Sequence, residues 1–199
     1  MNIVKRVALL TLTLALLLGL TSCGASGPDM PMEVSIDGCT VVLGRTTVAD
    51  LTALGYELSS AGRQDVAHEG DKYIYFMYML SKGAGYSFWV NVYTPYYGGT
   101  NINKEAAEAA ESGIVYSVTV NKSAAKDMSV SYNGMDLQAI TFDTAKEWGA
   151  KQDDSTSKIT WRLTASQGPL AFTAENTSSE DMHSLQVSLS QKAFEAMQK

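Results

Sequence analysis

Residues 41–58 read VVLGRTTVADLTALGYEL and residues 136–151 read DLQAITFDTAKEWGAK, and these two similar stretches decide the predicted fold. Each stretch begins with an apolar pair at strand spacing. A threonine that suits a helix N-cap follows, and a glycine that suits a helix C-terminus lies near the end. Thr47 with Asp50 matches the capping-box pattern, and Thr141 holds the equivalent place in the second stretch. The apolar residues of each stretch share one helical face: Val48, Leu51 and Leu54 in the first, and Phe142, Ala145 and Trp148 in the second. The sequence therefore predicts two short amphipathic helices.

Each predicted helix is followed by segments with the pattern of paired strands. KYIYFMYML (72–80) and YSFWVNVYT (86–94) follow the first, and SKITWRL (157–163) and LAFTAEN (170–176) follow the second. Each block then ends in an alternating strand, within GIVYSVTVNK (113–122) and SLQVSLSQK (184–192). Such alternation of apolar and polar residues is typical of an antiparallel sheet with one buried face.

The order strand, helix, strand, strand, strand thus occurs twice, and this predicts two units that share one sheet. We expect an α+β fold built from two tandem strand-helix-strand-strand-strand units, at residues 34–122 and 133–192. In this fold the sheet is antiparallel and both helices pack on one of its faces.

Two tandem helices that end at Gly55 and Gly149, each followed by three strands, resemble the β-lactamase inhibitory protein-like fold. Residues 44–55 are also similar to segments of uncharacterised lipoproteins of Gram-positive bacteria. The resemblance covers most of the chain after residue 33. It implies a binding or scaffolding role and does not indicate a ligand.

The N-terminus has the pattern of an export signal with a lipid attachment site. Lys5 and Arg6 precede an uncharged apolar stretch, which is typical of a secretory signal and short for a membrane-spanning helix. The stretch ends in LTSC (20–23), which resembles the lipobox of bacterial lipoproteins. The resemblance implies a signal peptide at 1–22, acylation of Cys23, and a Gly-, Ser- and Pro-containing tether at 23–33. The alternative is an ordinary signal with an unrelated cysteine.

The composition agrees with an exported domain. Removal of Lys5 and Arg6 leaves 13 basic residues against 21 acidic ones, a charge near −8. An acidic chain is unsuited to nucleic acid, so we expect no nucleic-acid partner, and a membrane contact through the lipid anchor alone. The predicted location is the cell membrane, facing outside the cytoplasm. Cys39 remains as a single thiol, which indicates a small apolar strand residue without a disulfide.

Catalytic and metal-binding motifs are missing from the sequence. It contains no H-E-x-x-H zinc motif and no G-x-S-x-G nucleophile motif. Both histidines, His68 and His183, fall in segments with the composition of polar turns. We therefore expect no catalytic residue, no metal, no cofactor and no enzymatic activity.

Aromatic strands in the first predicted unit are the most unusual feature of the chain. In the two predicted strands at 72–80 and 86–94, one face is apolar and the other is rich in aromatic side chains and methionine. The predicted contact surface contains Tyr73, Tyr75, Met77, Trp89, Tyr93, Tyr96 and Tyr97. An exposed surface of this kind fits a protein or glycan partner in the cell envelope. Alternatively, the Ala-rich segment near residues 103–112 or the second unit covers it.

These observations predict a lipid-anchored, extracytoplasmic binding module without catalytic activity. The alternative is a structural or envelope-assembly lipoprotein in which the aromatic face is buried core. Exposure of Trp89 distinguishes the two hypotheses.

Overall fold

A computed structural model describes residues 27–59, 73–83, 87–95, 112–176, 179 and 181–199. At residues 59, 73–76, 94 and 95 the description covers the backbone but not the side chain. The predicted signal peptide, Cys23, His68, Tyr96 and Tyr97 lie outside the described residues, as does the Ala-rich segment up to residue 111.

The described residues form twelve strands, three short α-helices and one 3-10 helix. The strands are β1 (Glu33–Ile36), β2 (Cys39–Val42), β3 (Glu57–Ser59), β4 (Tyr73–Ser81), β5 (Ser87–Pro95), β6 (Ile114–Asn121), β7 (Val130–Tyr132), β8 (Met135–Asp136), β9 (Lys151–Gln152), β10 (Thr160–Thr164), β11 (Pro169–Ala174) and β12 (Met182–Ser188). The α-helices are α1 (Val48–Ala53), α2 (Phe142–Glu147) and α3 (Gln191–Met197), and the 3-10 helix is Leu137–Ala139. No helix among the described residues has the length and apolar character needed to cross a membrane.

The strands form two antiparallel sheets. One sheet has four strands in the order β2-β1-β7-β8, and the other has eight in the order β3-β4-β5-β6-β12-β11-β10-β9. A single hydrophobic cluster joins them, with Ile36 and Tyr132 from the first sheet and Phe88, Phe172 and Leu185 from the second. The face of the eight-stranded sheet that carries Phe88, Phe172 and Leu185 is called the inner face below, and the opposite face is the outer face.

The expected α+β fold class is wrong, because the described structure is mostly β. The predicted capping residues are correct: Thr47 and Thr141 each accept a hydrogen bond from the third helical N–H in a capping box. However, α1 and α2 have six residues each and end before glycines in the left-handed region. Each helix buries only two side chains, and Leu54, predicted to lie on the apolar face, is 46% exposed. The two helices are therefore too short to form a helical layer over the sheet.

Two β-hairpins provide much of the apolar layer that the helices were expected to form. Both have two-residue turns, Asp37-Gly38 and Asn133-Gly134, with positive φ at each turn residue. Positive φ at both positions is characteristic of type I′ turns, for which Asp-Gly and Asn-Gly are the preferred sequences. The strands next to these turns bury five side chains in the core: Val34, Ile36, Val41, Val130 and Tyr132.

The chain order hairpin, short helix and four strands occurs twice in the described residues. The first occurrence ends with β6 and the second with β12. These two strands lie side by side at the centre of the eight-stranded sheet, with Val118 opposite Val187. In the smaller sheet, Ser35 of β1 pairs with Ser131 of β7. Strands from the predicted units 34–122 and 133–192 therefore share both sheets, and the unit boundaries stay a prediction.

Residues 27–32, here called the N-terminal strap, pack onto the fold although they lie within the predicted tether 23–33. The carbonyl oxygen of Pro28 accepts a hydrogen bond from the Ser166 N–H at 3.0 Å, and the Tyr132 hydroxyl donates to the Pro31 carbonyl at 3.0 Å. Both methionines of the strap, Met30 and Met32, are buried. The packed part of the chain therefore includes residues that the composition indicated as a spacer.

Candidate interaction surface

Strands β4 and β5 place the predicted aromatic residues on the outer face. The two strands pair along nine residues each, with Tyr75 opposite Tyr93, Met77 opposite Asn91 and Met79 opposite Trp89. Because alternate residues of a strand share a face, these six positions lie on the same side of the sheet. Four intervening residues point to the core and are at most 1% exposed: Leu80, Phe88, Val90 and Val92.

The described side chains of this surface are half-buried. We define the outer-face patch as Met77, Met79, Trp89, Asn91 and Tyr93, all of intermediate exposure. Of the predicted surface residues, Tyr73 and Tyr75 lie on β4 at positions of the same face, and Tyr96 and Tyr97 lie outside the described residues. The exposure of the patch lies between the two predicted alternatives, a fully exposed surface and a fully buried core.

One end of the outer-face patch is held by aromatic packing. The ring of Tyr93 stacks on that of Tyr116, with centroids 4.0 Å apart, and lies 4.6 Å from the ring of Phe194 in α3. A register shift between Asn91 and Val92 in the pairing with β6 accompanies this arrangement. Tyr93 packs against the core cluster and so has a structural role at this end of the patch.

Asn91 places a polar atom without a hydrogen bond at the middle of the patch. Its Oδ1 atom is buried, and no described residue donates a hydrogen bond to it. The hydroxyl of Ser117, which lies opposite Asn91 on β6, is already bonded to the Ser188 hydroxyl at 2.7 Å. An unsatisfied buried carbonyl costs about 1–3 kcal/mol, and native structures keep few such groups. Asn91 therefore places a buried, unsatisfied carbonyl among the apolar and aromatic side chains of the patch.

The predicted contact surface leaves out two members of the patch, Met79 and Asn91, although alternation places both on this face. It contains Met77 as the methionine beside Trp89, whereas the register places Met79 directly opposite Trp89. Met79 and Asn91 lie two residues from Met77 and Trp89, respectively, so strict alternation along each strand places them on the same face. The missing hydrogen bond of Asn91 depends on its neighbours across β6 and has no signal in the sequence.

The other residues considered for chemistry, His183 and Cys39, lie away from the outer-face patch. His183, predicted in a polar turn, is in β12 instead, where its carbonyl oxygen accepts the Lys122 N–H at 2.7 Å. Cys39 is a free thiol at the start of β2, and burial raises its pKa. Within the described parts of the chain, no three His, Cys, Asp or Glu side chains are grouped to hold a metal ion.

A polar cavity of about 440 Å³ lies at the opposite edge of the eight-stranded sheet, where β9 and β10 pair. Its lining includes Gly27, Lys151, Asp153, Arg162 and Thr164. Asp153 accepts hydrogen bonds from Ser155 and forms an ion pair with Arg162, which together lower the pKa of Asp153 to about 2. Two of the charged groups that line this cavity, Asp153 and Arg162, are thus already paired within the protein.

Comparisons of the chain with known protein families, with curated proteins and with solved structures find no match. The resemblance to β-lactamase inhibitory protein-like folds and to bacterial lipoproteins therefore stays a prediction from the sequence.

Proposed function

We propose that this chain is a lipid-anchored, extracytoplasmic binding module without catalytic activity, and that the outer-face patch contacts its partner. The anchor is Cys23, and the location is the outside of the cell membrane. The partner is a protein or a glycan of the cell envelope. This proposal rests on the lipobox-like sequence for the anchor and on the chemistry of the patch for the binding.

The partial exposure of three large side chains, Trp89, Met77 and Met79, supports the binding role. Trp and Met provide contact area and adapt to a partner, and such residues are enriched where proteins bind each other. The partial exposure of Trp89 carries the proposal, because a ring with a purely structural role would be buried in full.

A structural or envelope-assembly role is the second candidate, and the packing of Tyr93 favours it. Tyr93 contacts both Tyr116 and Phe194, so part of the patch stabilises the fold. If the whole patch has this function, replacement of Trp89 destabilises the protein as strongly as replacement of a core residue.

The binding role is tested by capture from solubilised cell envelopes. The double variant Trp89→Ala/Met79→Ala is compared with the wild type and with Thr164→Ala, a substitution of an exposed outer-face residue at the far side of the sheet. We expect the wild type and Thr164→Ala to retain the same partner and the double variant to lose it while its melting temperature changes little. Parallel capture on purified cell-wall glycan separates a glycan partner from a protein. Unchanged capture by the double variant, or loss of its fold, contradicts the proposal.

The anchor is tested separately with Cys23→Ser. We expect the wild type to incorporate labelled palmitate and to stay with membranes after an alkaline wash, because two acyl chains give stable attachment. The variant is expected to do neither. An unlabelled wild type, with a variant that still sediments with membranes, contradicts the lipid anchor.

A further inference from the structure

The N-terminal strap begins at a fixed place on the eight-stranded sheet. Gly27 lies so close to the end of β10 that a Cβ atom at this position would be 2.0 Å from the carbonyl oxygen of Thr164. The strap is held to the β10–β11 turn by the Ser166 N–H, which donates to the Pro28 carbonyl at 3.0 Å, and by the Ser166 hydroxyl, which donates to Asp29 at 3.1 Å. The chain therefore enters the fold at the edge formed by β9 and β10.

The distance from this entry point to the proposed acylated residue is short. Gly27 follows Cys23 by four residues, and an extended chain spans at most about 3.6 Å per residue, or about 14 Å here. The acyl chains of Cys23 lie in the bilayer when the protein is anchored. The sheet edge at Gly27 is therefore kept within about 14 Å of the lipid at all times.

We propose that the β9–β10 edge, together with the β10–β11 turn, is the membrane-facing surface of the protein, and that its partner is the phospholipid headgroup layer. The inference rests on the proposed lipid anchor. The opposite edge of the sheet is β3, seven inter-strand steps away. At about 4.8 Å per step, the two edges are separated by roughly 30 Å along the sheet. The β3 edge and the neighbouring patch on β4 and β5 thus face away from the membrane.

Covalent reach, and not charge, sets this orientation. The edge near Gly27 carries Lys151 and Arg162 but also Asp153, which is paired with Arg162. Such a mixed surface has little preference for anionic over neutral lipid. The orientation is accordingly expected on vesicles of phosphatidylcholine alone.

The orientation defines which partners can reach the outer-face patch. In the sheet order β4-β5-β6-β12-β11-β10, Met79 on β4 is five strands away from β10 and Trp89 on β5 is four strands away. In the proposed orientation these side chains lie outside the lipid and face molecules beyond the membrane surface. The patch then serves as a contact surface for an envelope component and not as a second membrane anchor.

The experiment uses the full lipidated chain with Cys39→Ser, so that a fluorescent label reacts only at an introduced cysteine. Glu57→Cys and Lys151→Cys are a matched pair, since both residues are exposed and lie on the two edge strands β3 and β9. Each labelled protein is inserted into phosphatidylcholine vesicles whose headgroups carry a nitroxide quencher. We expect the label at 151 to be quenched several-fold more strongly than the label at 57. A spacer of about ten Gly and Ser residues inserted after Ser26 adds up to ~35 Å of reach and is expected to remove the difference.

The outcomes separate this inference from the proposal on which it rests. Mass spectrometry of the N-terminal peptide reports whether Cys23 carries lipid. If Cys23 is lipidated and both labels are quenched equally, or the label at 57 more strongly, the orientation is wrong while the anchor stands. If Cys23 carries no lipid, the anchor is wrong and the orientation is wrong with it.

Discussion

The two halves of the eight-stranded sheet have similar inner faces and different outer faces. On the inner face, Phe88 of β5 and Phe172 of β11 are both buried. On the outer face, β4 and β5 carry half-buried Met79 and Trp89, whereas β10 carries exposed Arg162 and Thr164. The inner faces are alike because both must fill one core. The outer faces are free to differ, so the difference between them is the better guide to function.

The largest expected effect tests whether the inner faces of the two halves contribute equally to stability. Phe88→Ala and Phe172→Ala are each expected to lower the free energy of unfolding by about 3–5 kcal/mol, because both rings are fully buried. Trp89→Ala is expected to lower it by only about 1–2 kcal/mol, since its ring is half-buried. Urea denaturation of the three variants measures these values. A loss for Trp89→Ala as large as that for Phe88→Ala would show that the patch is core.

A second prediction sharpens the contrast on the outer face through Asn91. Asn91→Val removes an unpaired buried acceptor and places a β-branched residue in a strand, so we expect stability to rise by about 1–2 kcal/mol. Ser117→Ala is the control, because it breaks a buried hydroxyl pair with Ser188 and is expected to lower stability by about 1 kcal/mol. A loss of stability in Asn91→Val would show that the Asn91 amide stabilises the fold and would contradict this explanation.

A third prediction compares the two helix starts. Thr47→Ala and Thr141→Ala each remove an N-cap, which costs about 1 kcal/mol. The loss is expected to be greater for Thr47, whose hydroxyl donates a hydrogen bond to the Asp50 carboxylate, than for Thr141, whose hydroxyl pairs with the neutral Thr144 hydroxyl. Hydrogen bonds from Thr47 lower the pKa of Asp50, in agreement with a charge-assisted cap. Thermal unfolding of both variants ranks the two caps, and the reverse order would contradict this explanation.

The smallest effect concerns the charged half of the outer face. Hydrogen bonds from Ser155 and the ion pair with Arg162 lower the pKa of Asp153 to about 2. Because the folded-state pKa lies below the unfolded value of about 3.9, the stabilisation is present above about pH 4 and is lost as the pH falls toward 2. The difference in unfolding midpoint between the wild type and Asp153→Asn is expected to shrink over this range. A difference that stays constant down to pH 2 rules out this titration.

Local sequence signals predicted the local features of the fold. The capping residues Thr47 and Thr141 were identified correctly, since capping depends on residues within one helical turn. The hairpins β4–β5 and β10–β11 also follow from alternation along the chain. The share of helix could not be predicted from caps, because a cap marks where a helix begins and not how much of the core it covers.

The missed features depend on contacts between distant parts of the chain. The turns Asp37-Gly38 and Asn133-Gly134 are an exception, because Asp-Gly and Asn-Gly are local hairpin signals in the sequence. The docking of the strap depends on Gly27 fitting against Thr164, 137 positions later in the sequence. Similarly, the patch is half-buried at Tyr93 because of neighbours on β6 and α3, and alternation along a strand does not predict these neighbours.

The most direct test of the account is the accessibility of Trp89 in the free protein. With Trp148→Phe and Trp161→Phe, Trp89 is the only tryptophan left of three, and its fluorescence reports on the patch alone. We predict that acrylamide quenches it in the free protein and that the captured envelope partner protects it from quenching. Emission that is already blue-shifted and resistant to acrylamide without the partner would contradict a contact surface at this patch.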